Sequence, residues 1–350
     1  MDLFEKIYSG QRISAEEAME LKDASLYDMS ALASARLKMA DASGEVGYIV
    51  NRMINYSNVC MAQCKFCAFH ARAGRVNAYT MSDDEIFNLC REAVERGGTQ
   101  IMLQGGLHPK FKLGWACALL RRIKEAFPKL WLHVFSPSEI VWFARGEGIS
   151  VLECLSRLKE SGADSVPGAA DMLIGRIRSQ LCNNKCTVAE WRQVMEALSK
   201  LGMYSSATMT FGLGETFAER IEHLDIVRQI QDQTGVFKAF IAWPVSPENT
   251  AIEGRFARVG APEFLHTLAL SRIYLDNVKY VQSGWLTEGL KMAEVALNFG
   301  ANDVGGVLMN EMVVRAAGID NRATAENMRR VIVNAGKIPR ERDGLYKTIS

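Results

Sequence analysis

The chain holds 350 residues, 48% of them hydrophobic, which is enough for a full-sized core in one large α/β barrel or in two domains. Its 41 basic and 40 acidic side chains leave a formal charge of +1, so no electrostatic footprint points to nucleic acid or an anionic membrane as a partner. No apolar stretch reaches the length of a membrane span, and the opening Met1-Asp-Leu-Phe-Glu-Lys6 sets an acid before any apolar run, which does not read as a secretory signal.

Residues 1–46 read as a small N-terminal helical cap. Ser14 with Glu17 is a capping box, and Leu26, Met29, Leu32 and Leu37 give a loose helical stripe. From residue 47 the rhythm changes. β-rich runs at 48–54, 99–103, 130–135, 163–166, 205–211, 237–243 and 280–284, with a weaker eighth ending near Phe299, alternate with amphipathic helices. Ser82 with Glu85, Thr187 with Glu190 and Thr216 with Glu219 open three of these helices. Ile86, Leu89, Cys90, Ala93 and Val94 share one face of the first; Trp191, Val194, Met195, Leu198 and Leu201 share one face of the second. Eight strands alternating with helices specify a parallel sheet able to close into a (β/α)8 TIM-type barrel. That barrel takes up residues 47–350, with a C-terminal helical tail, as one compact unit.

In such barrels the chemistry gathers at the carboxyl ends of the strands. The first strand runs into Cys60-Met-Ala-Gln-Cys64-Lys-Phe-Cys67. Three thiolates within eight residues can hold three irons of a [4Fe–4S] cluster and leave the fourth iron open to a ligand. His70 follows at the spacing that separates Cys64 from Cys67, so a Cys₃His zinc site fits the same letters. A structural zinc usually serves a module without its own core, which this chain is not. The second strand ends in Gln104-Gly105-Gly106, where consecutive glycines let a ligand approach the backbone. After the third come Ser136, Pro137 and Glu139, a capping box that can also face a ligand. Arg176 and Arg178 can clamp a carboxylate or lie on a helix surface. Gly212 and Gly214 leave room for a flat ring edge after strand five, and Trp243 with Pro244 offers an apolar wall after strand six. Near the last strand Asn302 and Asp303 sit between glycines. Asp303 is the leading candidate for handling a proton or a substrate hydroxyl, with turn capping as the plain alternative. The remaining cysteines, Cys90, Cys117, Cys154, Cys182 and Cys186, are scattered as expected of reduced thiols in a cytoplasmic protein, and the pair Cys182/Cys186 is too few for an auxiliary cluster.

The motifs together carry a resemblance. Asn55-Tyr-Ser-Asn58-Val-Cys60, Lys65-Phe-Cys-Ala-Phe69, Leu103-Gln-Gly-Gly-Leu-His-Pro109, Pro247-Glu-Asn-Thr250, Gly300-Ala-Asn-Asp303 and Val313-Val-Arg-Ala-Ala-Gly318 resemble the radical S-adenosylmethionine (SAM) branch of futalosine-pathway menaquinone enzymes and deazaflavin synthases. Phe135-Ser-Pro-Ser-Glu139, Trp243, Gln282-Ser-Gly-Trp285 and Asn310-Glu-Met-Val-Val-Arg315 are most similar to its dehypoxanthine futalosine cyclases, with aminofutalosine synthases close behind. The resemblance implies a [4Fe–4S] cluster on Cys60, Cys64 and Cys67, and SAM held by Phe66, Gln104, Gly105, Gly106, Ser136, Arg178 and Gly212. It further implies a nucleoside-like substrate held by Arg72, Arg75, Trp243 and Asn302, with Asp303 and Glu139 as candidate bases. A 5′-deoxyadenosyl radical would start the cyclisation, fed by an electron donor such as flavodoxin or ferredoxin. Three departures line the expected substrate cavity: a shortened Pro167–Asp171 loop with Asp171 where the family has Glu, His70 in place of Tyr, and Leu213 in place of His. A divergent paralogue acting on another aromatic or nucleoside substrate is the alternative; a non-catalytic Cys₃His zinc protein is the remote one.

Overall fold

The computed structural model describes residues 2–349. Helices Leu3–Tyr8, Ala15–Met19 and Leu26–Ala40 come first, the second opened by the expected Ser14/Glu17 capping box. The third buries Met29, Leu32 and Ala33 and packs on the outer helix Ala261–Tyr274. Arg12 fastens this segment to the outer layer through ion pairs with Asp232 and Asp276 at 2.6 and 2.8 Å.

Strands then alternate with helices: β1 (Glu45–Ile49), β2 (Asn51–Asn55), β3 (Gln100–Gln104), β4 (Trp131–Val134), β5 (Ser165–Val166), β6 (Tyr204–Phe211), β7 (Phe237–Pro244), β8 (Tyr280–Gln282), β9 (Asp303–Gly306) and β10 (Ile338–Glu341). They form one parallel sheet in the order β10-β1-β9-β8-β7-β6-β5-β4-β3-β2. β1 and β2 are separated only by Val50. β1 pairs with β9 and β2 with β3, while Met309 N–H donates to Asn51 at 3.2 Å and Met53 N–H to Met309 at 3.0 Å. One chain segment thus carries the first ladder on one edge and the last on the other, and the sheet curls round to meet itself. This is the TIM-type architecture that the alternation implied.

Two boundaries differ from the sequence reading. The eighth barrel strand is β9, not a run ending near Phe299. The apolar residues before Phe299 belong to helix Leu290–Ala296, which buries Ala293 and Ala296, and Gly300 at φ 90° turns the chain into the strand. The C-terminal tail is helical over Val313–Ala316 and Ala325–Asn334, then continues as β10, whose residues are exposed or half-buried and carry no alternation to read. The helix starts fared better, because capping is local: the boxes at Ser82, Ser136, Thr187 and Thr216 all form. Val94, expected on the buried face of helix Asp83–Glu95, is exposed.

The interior of the ring positions the site. A TIM barrel is ordinarily filled by layers of branched aliphatic side chains. Here Asn51, His133, Ser165, Ser206, Thr208 and Gln282 point inward instead and line an open lumen.

Candidate functional site

The lumen is a cavity of about 400 Å³ that reaches from the loop after β2 down the barrel. Asn58 shapes that loop: its amide donates to the Asn77 carbonyl at 2.8 Å and its side-chain oxygen accepts from Tyr79 N–H at 2.8 Å. Cys60 N–H donates to the Ala71 carbonyl, and Lys65 N–H to that of Leu181. The path brings Cys60, Cys64, Cys67 and Phe66 to one end of the cavity wall, all three thiols free of disulfides. Leu107 N–H donates to the Cys60 sulfur at 3.3 Å. Burial pushes the Cys67 thiol up, and a hydrogen bond with Cys182, together with burial, pushes the Cys64 thiol up. His70 points its Nδ1 at the Cys67 carbonyl, 2.8 Å away. That contact turns the ring toward backbone.

The glycine pair closes against this loop. A Cβ on Gly106 would lie 2.3 Å from the Val59 carbonyl oxygen and 2.7 Å from Cys60 Cβ; one on Gly105 would lie 2.4 Å from the Tyr56 ring. Only glycine fits either position. Glu139 braces the turn from below: Oε1 accepts from the Tyr56 hydroxyl at 2.6 Å and Gly105 N–H at 3.1 Å, and Oε2 from Ser136 N–H and Oγ, both at 2.7 Å. Burial pushes its carboxyl up against those donors. Gln104, Gly105, Gly106, Ser136 and Glu139 all line the cavity, as does Trp243, whose indole N–H donates to Thr210 Oγ1 at 2.9 Å.

Six residues singled out from sequence lie elsewhere. Arg72 and Arg75 sit in an exposed turn, Arg72 donating to Gln63 Oε1 at 3.2 Å. Arg178 is buried but donates to the Ala170 carbonyl at 3.1 Å and to that of Cys186, so it ties down backbone instead of facing the cavity. Gly212 packs on Val259, and its N–H donates to Glu215. Asn302 joins Arg272 to Val281 and Lys279. Asp303 is fully buried at the start of β9. Both of its oxygens accept from Arg342, at 2.5 and 2.8 Å, and Oδ1 also takes Gly305 N–H. A carboxylate so committed is a structural tie, not a base at the barrel mouth.

Other wall residues went unread. Lys185 pairs with Asp171, itself expected on this wall, at 2.6 Å beside the thiol loop. Glu311 turns its carboxylate back to accept from Val313 and Val314 N–H, and burial pushes it up. His133, Lys238, Gln282 and Tyr346 line the deeper part. Strand alternation was the signal available for His133; Gln282 and Glu311 lie in motifs that carry the resemblance, which gave neither of them a role.

Comparison with known proteins agrees with this geometry. The radical SAM superfamily model matches residues 54–227, and the CofH/MqnC C-terminal region matches 234–350. The chain is 39% identical over 350 residues to a cyclic dehypoxanthine futalosine synthase of Streptomyces coelicolor, covering 99% of this chain and 88% of the relative. Its counterpart from Halalkalibacterium halodurans is 36% identical over 349 residues, with coverage of 99% and 94%. A 5-amino-6-(D-ribitylamino)uracil–L-tyrosine 4-hydroxyphenyl transferase of Methanocaldococcus jannaschii is 37% identical over 352 residues, with coverage of 97% and 98%. Among solved structures, the hydrogenase maturase HydG of Carboxydothermus hydrogenoformans superposes with a TM-score of 0.78 at 16% identity, over 98% of this chain and 79% of that one. Methylornithine synthase superposes with 0.73 at 19%, over 96% and 97%, and both are likenesses of fold.

Proposed function

The chain belongs to the radical SAM superfamily, in the branch that carries the CofH/MqnC C-terminal region, and from that premise we propose that it cyclises dehypoxanthine futalosine in menaquinone synthesis. The family's cofactors are a [4Fe–4S] cluster and SAM, and the residues present fit them: three free thiols at one end of the cavity, beside a Gly106 that admits no Cβ. Bound together, these cofactors supply a 5′-deoxyadenosyl radical able to take a hydrogen atom from carbon.

The remaining work falls to the chain. Cys60, Cys64 and Cys67 would hold three irons, and Gly105-Gly106 would present backbone to the methionyl part of SAM, kept in place by Tyr56 and Glu139. The ring of strands would wall the radical in on its sides, while Ser206, Thr208 and Thr210 offer hydroxyls to a ribose. If a radical at the ribose C4′ adds to the benzoate ring to form the new carbon–carbon bond, the ring recovers its aromaticity by losing one electron, which the oxidised cluster would accept, and one proton, which needs an acceptor on the chain. With Asp303 tied to Arg342 and Glu139 holding four donors, the role passes to Glu311, whose partners are backbone amides alone. The single observation that carries the reading is the open lumen, mostly apolar with polar side chains set into its wall, that reaches the three thiols, since a barrel built only for stability would fill that space.

The test is anaerobic incubation of reconstituted enzyme with SAM, reductant and dehypoxanthine futalosine, followed by mass spectrometry. The cyclic product is expected. If deoxyadenosine forms without it, and tyrosine with 5-amino-6-(D-ribitylamino)uracil is converted instead, the chain acts as its archaeal relatives are named to act.

A further inference from the structure

The cavity wall carries three non-histidine cations: Lys185, Lys238 and Arg342. Lys185 is paired with Asp171 and Arg342 with Asp303. Among the described residues Lys238 has no carboxylate partner; its ammonium lies 3.9 Å over the Tyr204 ring.

Its inward position is a product of backbone irregularity. Ile241 and Trp243 line the cavity while Phe240 and Ala242 are buried in the outer layer, so strict alternation along β7 would turn Ala239 inward and Lys238 outward. The β6–β7 ladder slips at this place: Ser205 pairs with Phe237 and Ala207 with Phe240, three steps on β7 against two on β6. The extra residue swings Lys238 into the lumen, the kind of re-aiming for which bulges are retained next to sites. An ammonium turned into a partly buried lumen without a counter-ion sacrifices hydration unless a ligand restores it.

Its neighbours suit a single planar anion. Ala239 pairs in register with Tyr280, whose ring stacks on Tyr346 at 4.4 Å, so Tyr346 stands at the same level of the barrel. Gln282 Nε2 donates to the Tyr346 hydroxyl at 3.1 Å, which leaves the hydroxyl proton free to be given to a ligand oxygen. One cation and one hydroxyl donor match the charge and two oxygens of a carboxylate; a phosphate would call for more positive charge.

We propose that Lys238, with Tyr346, recognises the carboxylate of the substrate at the floor of the lumen. This rests on the futalosine reading, in which the substrate carries a benzoate, and it gives the aryl acid the cation that Arg72 and Arg75 do not supply. The ligand then lies along the barrel axis, acid downward and sugar toward the thiols.

Two arms test it on the reconstituted holoenzyme. In the first, Lys238→Met should raise the KM for dehypoxanthine futalosine about tenfold or more with kcat changed far less, and Lys238→Arg should recover most of the loss. The substrate carboxamide should be bound by the unaltered enzyme as weakly as the acid is bound by Lys238→Met. An unchanged KM, or a carboxamide bound as well as the acid by the unaltered protein, overturns the proposal. In the second arm, benzoate and benzamide are compared as probes by ligand-observed NMR. Binding of benzoate that is lost in Lys238→Met supports the site even if dehypoxanthine futalosine is not turned over, in which case the functional reading fails alone. Benzoate binding that the variant retains counts against Lys238 whatever the substrate.

Discussion

At the scale of the residue, the site depends on contacts that tolerate almost nothing. Gly106 faces the Val59 carbonyl so closely that even one methyl must displace the turn. Gly106→Ala should therefore weaken SAM binding at least tenfold while leaving iron content unchanged, as read by equilibrium dialysis and iron assay; normal SAM affinity would remove the pair from that role. Anaerobic reconstitution should give about four irons per chain, lost on replacing Cys60, Cys64 or Cys67 by Ala and kept in His70→Ala, because His70 is engaged with a backbone carbonyl. Stoichiometric zinc in place of iron would contradict the assignment. That these residues share one cavity wall was legible because each motif is contiguous and follows a strand end. Asp303 was not: the partner that fixes its role, Arg342, lies 39 positions away, and no local pattern joins them. Arg72 and Arg75 failed in the opposite sense, since nearness in sequence to the cysteines put them near the loop but not inside the cavity.

At the scale of the element, capping boxes made helix starts readable, and strand alternation gave β3, β4, β6 and β7. The misplaced element is β9, where an amphipathic helix ending at glycine resembled a strand ending at a loop. β9 also carries the tie to the C-terminus. Arg342 follows β10, pairs with the buried Asp303 and stacks on the Tyr346 ring at 3.6 Å, so the tail closes the floor of the barrel. Arg342→Met leaves a buried carboxylate unpaired and should cost about 3–5 kcal/mol of stability. Denaturant unfolding reads this directly; a loss under about 1 kcal/mol would mean that water or another donor already serves Asp303. The bulge in β7 was invisible in sequence for a related reason: it is a property of the pairing of two strands, and neither strand alone announces it.

At the scale of the whole molecule, the fold class was legible from alternation alone, whereas the hollow lumen was not, because an inward serine and an outward one look alike until the register is known. The fold also buries His223 in helix Phe217–Thr234 and half-buries His133 on the lumen wall in β4, and desolvation lowers both from 6.5 to about 3. Folded, they stay neutral where the unfolded chain takes up protons, so stability is lost as pH falls from about 6.5 toward 3. By pH 5.5 the cost should be about 1.4 kcal/mol for each histidine. Unfolding followed at pH 7 and 5.5 should show the drop, reduced in His223→Gln; a flat profile would mean that both rings take up protons in the folded state. The central claim is that a radical formed beside Cys60, Cys64 and Cys67 acts on a nucleoside lying in the lumen. It is tested most directly with dehypoxanthine futalosine deuterated at the ribose C4′, incubated anaerobically with enzyme, SAM and reductant. The account predicts one deuterium in the 5′-deoxyadenosine, together with the cyclic product. Unlabelled deoxyadenosine accompanying that product, or labelled substrate returned intact while deoxyadenosine accumulates, would contradict it.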